Sequence, residues 1–253
     1  MALTWSALAI VLAGGALAGF AQGVSGFAFS MIALSVWAWA ISPQLAAPLA
    51  VFGALMGQIL SFAQIRAGYD LKKIAPLVAG GLIGVPMGVF VLHNSDPIRF
   101  RLTIGALLAV YGAYGLLASG HFKLKIGGAW LDAFAGVLGG VLGGLGGMSG
   151  TVPAIWTQMR GWSRDLRRAT MQVYNIAMHV FTLVVYSQTG GFRDLDYRLF
   201  AVAAPAMLIP AWFGARLYHS LSEQLFQRLV FALLLLSGLA LLYASARTLK
   251  LVG

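Results

Sequence analysis

The sequence predicts an all-α integral membrane protein built from two inverted-topology repeats, each a broken, re-entrant helical hairpin followed by three transmembrane helices. Three observations predict it. The 253 residues are 60% hydrophobic and only 9% charged, with mean hydropathy +0.85. Apolar runs on that scale read as membrane spans. The same short break occurs twice in apolar surroundings, as Gly23-Val24-Ser25-Gly26 and as Gly147-Met148-Ser149-Gly150. The residues after the first break are echoed after the second, in the same order and at nearly constant offset.

The elements follow in chain order. The first apolar stretch, residues 3–41, holds nearly forty residues, whereas one span needs ~20. Broken at Ser25, it gives pieces of about twenty-two and about sixteen residues. Spans of ordinary length follow at 46–65, 74–93 and 99–118, which closes a first repeat at 1–120. The second repeat, 121–253, has its broken segment at 126–156 and spans at 168–188, 197–218 and 224–245. Four matches relate the halves. Gly23–Gly26 matches Gly147–Gly150 at an offset of 124, and Ser42-Pro43-Gln44-Leu45 matches Ser163-Arg164-Asp165-Leu166 at 121. Gly88–His93 matches Gly214–His219 at 126, and Arg101-Leu102 matches Arg228-Leu229 at 127.

Charge decides between a broken segment that crosses and one that returns to its own side. If each returns, eleven bases (Arg66, Lys72, Lys73, Lys123, Lys125, Arg160, Arg164, Arg167, Arg168, Arg216, Arg228) share one side against six on the other. If each crosses once, the split is nine against eight. Lys and Arg set orientation, so the hairpin is preferred, the halves are inverted, and the hairpin tips meet near the midplane.

Composition narrows the function. The excess of seventeen Lys plus Arg over seven acids lies in short loops and reads as positive-inside bias, not as a nucleic-acid surface. No cysteine is present, which excludes disulfide, iron–sulfur and thiol chemistry. The four histidines are scattered, so no metal is expected, and no cofactor is called for. A Gly-x-x-x-x-Gly-Lys-[Ser/Thr] run is absent, so the chain alone is not an ATP-driven pump. Met1-Ala2-Leu3-Thr4-Trp5 lacks a basic leader region, and the first segment is expected to stay in the mature protein. Membrane lipid is a necessary partner. A homodimer is plausible, though no sequence feature argues for it.

Breaks inside a membrane leave backbone groups unpaired, so they persist only where protein or a watery cavity satisfies them. After each break a short helix can begin, with Ser25 and Ser149 as expected N-caps and Pro153 in a first turn that tolerates it. Helix starts present N–H donors and partial positive charge, which suits an anion. The competing explanation is that these glycines, above all the run Gly136–Gly150, serve close helix packing. The span 168–188 adds a polar stripe. Arg168, Gln172, Asn175, His179, Thr182 and Tyr186 recur at steps of three and four and share one face at ~100° per residue. Such a stripe should face the bundle interior. Its first-half counterpart supplies Gln58 and Ser61 in the places of His179 and Thr182. The candidate binding set is therefore Gln22, Ser25 and Gly26 at the first break, Ser149, Gly150 and Thr151 at the second, and Gln58, Gln172, Asn175 and His179 from the spans. His179 is also the candidate for a coupling proton; Arg168 reads as an interfacial anchor. Asp132 is the one carboxylate near a membrane segment, at that segment's edge.

On the broken segments Gly19–Gly26 and Gly139–Gly150, the following Pro153 and the matching halves, the chain resembles the sulfite exporter (TauE/SafE) family, also called the toluene-sulfonate uptake permeases. The resemblance covers nearly the whole chain. It implies a multi-pass permease of the bacterial inner membrane for sulfur-containing anions such as sulfite, sulfonates and sulfoacetate. Members usually carry a proline in the first half too; here Phe29 stands where Pro153 stands in the second. An aromatic wall at that point would suit an organic sulfonate over bare sulfite. Two other functions compete. One is an intramembrane serine protease using Ser149 and His179, since Gly-x-Ser-Gly has the nucleophile form. The other is a passive anion channel.

Overall fold

A computed structural model describes residues 4–25, 28–62, 69–117, 127–191, 197–217 and 223–252. Among the described residues there are ten helices and no strand. In chain order they are α1 (Trp5–Ser25), α2 (Phe29–Trp37), α3 (Pro43–Phe62), α4 (Leu71–His93), α5 (Pro97–Leu117), α6 (Ala129–Gly146), α7 (Thr151–Met159), α8 (Arg164–Gln188), α9 (Tyr197–Leu217) and α10 (Glu223–Val252). Seven of them are long and apolar enough to cross a membrane.

Both long segments break where expected: α1 ends at Ser25 and α6 at Gly146. The half-helices after the breaks are nine residues each, ~13 Å at the helical rise and about half a hydrocarbon core. The first is shorter than the sixteen residues the sequence suggests. The chain turns after Trp37, so the last residues of the apolar run form the link to α3 and are not helical.

The half-helices fold back along their long partners. The Trp37 indole N–H donates to the Val11 carbonyl (3.1 Å), while Phe29 N–H donates to Gln22 Oε1 (3.1 Å). In the second half the Trp156 indole N–H donates to Asp132 Oδ1 (2.7 Å), in the first turn of α6. Arg160 Nε lies 3.4 Å from the same oxygen. Asp132 thus sits at the edge of its segment, in the first turn of α6. The end of each half-helix therefore lies back along its long partner.

Three helix pairs run the length of the fold. Along α1 and α9, Gly19 rests on Met207 and Gly23 on Ala211, so the two run parallel. Along α4 and α6, Gly80, Gly84 and Gly88 meet Ala133, Val137 and Val141, again parallel. Along α5 and α10, Gly105 meets Gly238 while Gly112 meets Leu235 and Phe231, so these run antiparallel. In all three pairs a Cβ on these glycines would run into partner backbone. Without a hydrophobic force between helices in lipid, this close approach is what holds them together. For Gly136, Gly140 and Gly144, which face Leu77, Gly81 and Val85, packing is therefore their role.

The polar helix α8 packs against α3, α4, α6 and α7. Gln172, Asn175, His179, Thr182 and Tyr186 are all buried and Arg168 is exposed, as the periodicity predicts. The stripe explains why this 25-residue helix is too polar to rank among the seven apolar spans. Its neighbours shield it from lipid.

Candidate functional site

The two breaks meet at Gly147. This residue closes α6 with φ 78°, the left-handed region that favours glycine. Its N–H donates to the Gly143 carbonyl at 2.7 Å. A Cβ here would lie 2.6 Å from the Oγ of Ser30 in the first turn of α2. The start of one half-helix therefore abuts the break that precedes the other.

Around that point the second half contributes most of the side chains. Ser149 is fully buried, and its hydroxyl donates to Asn175 Oδ1 (3.0 Å). His179 Nε2 lies 3.0 Å from the Gly147 carbonyl and 3.5 Å from Ser149 Oγ. A Cβ on Gly150 would come within 2.8 Å of Asn175 Oδ1, so glycine there lets the amide reach the start of α7. The Thr151 hydroxyl turns back onto the Met148 carbonyl at 2.8 Å. The first half contributes Gln22, whose Oε1 holds the first N–H of α2 and whose buried Nε2 has no hydrogen-bond partner. His179 Nδ1 and Thr182 Oγ1 are likewise buried without one.

The structure corrects the caps. The N-caps of α2 and α7 are Ala28 and Gly150, and neither makes a side-chain cap bond. Ser149 stands one residue before the cap of α7, and its hydroxyl turns to Asn175 instead. Ser25 is the last residue of α1, three residues short of the α2 cap. Gln22, one turn earlier, does the capping of α2 instead. Gly26, expected at the site, lies outside the described residues, as does the side chain of Ser25.

Not every predicted residue joins the cluster. Gln172 Nε2 donates to the backbone carbonyl of Gln58, tying α8 to α3. That contact lies seven residues from His179 along α8, ~10 Å at the helical rise. Phe29 is 1% exposed, its ring packed on Gly53 and edge-to-face with Trp37. Its backbone N–H belongs to the break, and its ring lies in the hydrophobic core. Ser30 was missed from sequence, although a hydroxyl in the first turn after a break is a readable signal.

The cluster is polar and carries no full charge; among the described residues the one buried acid, Asp132, lies at the far end of α6. It supplies donors and backbone dipoles, which suit a small anion. It does not suit a serine nucleophile. A carbonyl only accepts, so the hydrogen of His179 Nε2 points at Gly147, and that nitrogen has no lone pair for the Ser149 proton. Among the described residues no group of His, Asp and Glu could hold a metal ion.

A model of the family described as sulfite exporter TauE/SafE matches residues 11–241. No curated protein and no solved structure matches the chain. With nearly the whole sequence matched, two broken hairpins in place and a buried polar cluster where they meet, this multi-pass membrane protein belongs to the sulfite exporter TauE/SafE family of membrane anion transporters.

Proposed function

We propose that the chain is a secondary transporter that moves a small sulfur-containing anion, sulfite or a sulfonate, across the inner membrane by alternating access. The anion is held between the N-terminal ends of α2 and α7, near the midplane. One observation carries this: Ser30, in the first turn of α2, rests on Gly147, in the break before α7. Each helix start offers N–H donors and partial positive charge. Gln22 Nε2 and the Thr182 hydroxyl, buried and unpartnered, are further groups that an anion could satisfy. Ser149, Gly150, Thr151, Asn175 and His179 form its second-half wall. Gln58 and Gln172 hold α3 to α8 beside it.

Opposite orientation of the two halves supports the mechanism. The repeat makes α5 and α10 counterparts, and they run antiparallel. Had each broken segment crossed once, the same two helices would run parallel. Exchanging the halves also converts the pair α1–α9 into α6–α4, both parallel. Alternating access then follows as one half rocking against the other around a fixed site.

Reconstituted vesicles test this with sulfite and methanesulfonate. Saturable flux of at least one is expected, and its dependence on a proton gradient separates a coupled carrier from a passive channel. Gln22→Glu keeps an acceptor for Phe29 N–H and puts negative charge beside the anion. Flux should fall by about tenfold or more, the effect of one nearby like charge in a partly shielded site. Undiminished flux in that variant would remove the anion from the break.

A further inference from the structure

Granted the anion site just described, we propose that the anion binds together with one proton, held on Nδ1 of His179, so that anion and proton are carried as a pair. Nε2 of this ring is committed to the Gly147 carbonyl at 3.0 Å, and since a carbonyl cannot donate, the ring hydrogen is on Nε2. In the neutral imidazole Nδ1 is then a bare lone pair. That atom is buried and meets no hydrogen-bond donor. A lone pair repels an anionic oxygen. Once protonated, the same atom is a charge-assisted donor aimed from the middle of the polar stripe.

Among the described residues no other charge nearby can take this part. The helices α2, α3 and α7 hold no titratable side chain. On α6 the one such group is Asp132, engaged by Trp156 and Arg160 at the far end. On α4, Lys72, Lys73 and His93 lie in the first and last turns. On α8 itself Arg164, Asp165, Arg167 and Arg168 occupy the start of the helix. Tyr174 and Tyr186 donate their hydroxyls to the Gly136 and Gly144 carbonyls. The step balances simply. A proton leaves the solution, an N–H bond forms at Nδ1, and the imidazolium donates to an anion oxygen. The bound pair adds no net charge to the site. A sulfonate, which carries a single negative charge and no proton of its own, takes this proton from the medium.

The test counts protons. Purified protein in weakly buffered detergent near neutral pH is titrated with methanesulfonate, which brings no proton. Binding is followed by calorimetry while a pH indicator reports uptake. About one proton per anion is expected, one imidazole going from neutral to charged. Uptake should vanish in His179→Gln, whose side-chain amide keeps a donor for the Gly147 carbonyl. Binding by the unaltered protein without proton uptake would overturn the co-binding and leave the anion site standing. Uptake that persists in His179→Gln would overturn the assignment to this ring. If neither methanesulfonate nor sulfite binds, the anion site falls and the proton falls with it.

Discussion

At Gly147 one backbone position meets three demands at once. It adopts positive φ, it presents its carbonyl to His179, and it leaves room for Ser30 Oγ. A side chain there faces left-handed strain of roughly 1–2 kcal/mol plus the collision with Ser30. Gly147→Ala is therefore expected to lower the melting temperature of the detergent-solubilised protein and to depress flux. In a Ser30→Ala background the collision is eased and the strain remains, so part of the loss should return. Equal losses in both backgrounds would show that Ser30 and position 147 do not press on each other. Asn175 and His179 were legible from spacing alone, because a polar residue every third or fourth place has one economical explanation in a membrane helix. Their partners were not legible. Nothing in sequence says that the Ser149 hydroxyl turns to Asn175, or that Gln22 Oε1 takes the first N–H of α2.

Helices in lipid are held by shape, and the pair α4–α6 makes that concrete. Gly80, Gly84 and Gly88 on one helix and Gly136, Gly140 and Gly144 on the other bring the two backbones into direct contact. Gly84→Leu should force them apart, at a cost of about 1–3 kcal/mol or more, and is expected to lower both thermal stability and yield. Ala79→Leu, on the exposed side of the same helix, should leave both unchanged. Equal effects from the two would mean that the helix tolerates bulk on its packed face. The existence and order of all six unbroken helices were readable, since each is one apolar or amphipathic run of spanning length. Their ends were less so: α3 starts at Pro43, α8 at Arg164, and α10 reaches Val252. Polar residues at the interface continue a helix beyond its apolar stretch, so hydropathy marks the membrane and not the helix terminus.

For the molecule as a whole, the proposed return of each broken segment to its own side would fix the face on which every later loop emerges. The absence of cysteine gives an unlabelled background for testing it. Asn94→Cys, after α4, and Asp165→Cys, in the first turn of α8, are both exposed positions. They should react with an impermeant maleimide from opposite faces of oriented vesicles. Labelling from one and the same face would break the hairpin topology and the inverted halves with it. The eleven-to-six distribution of bases favours that proposed topology by charge, and the antiparallel packing of α5 on α10 is in keeping with it.

Composition, periodicity and repetition settle what each stretch of this chain must do: cross lipid, break, or turn a polar face inward. Those are local consequences of solvent, because a bilayer penalises every exposed polar group wherever it falls in the chain. Which groups then meet is a matter of distance between segments far apart in sequence. Only the packed structure sets Ser30 on Gly147, commits one nitrogen of His179 and leaves the other bare. Hydrogen bonding is directional and short-ranged, so these pairings exist only once the helices have docked.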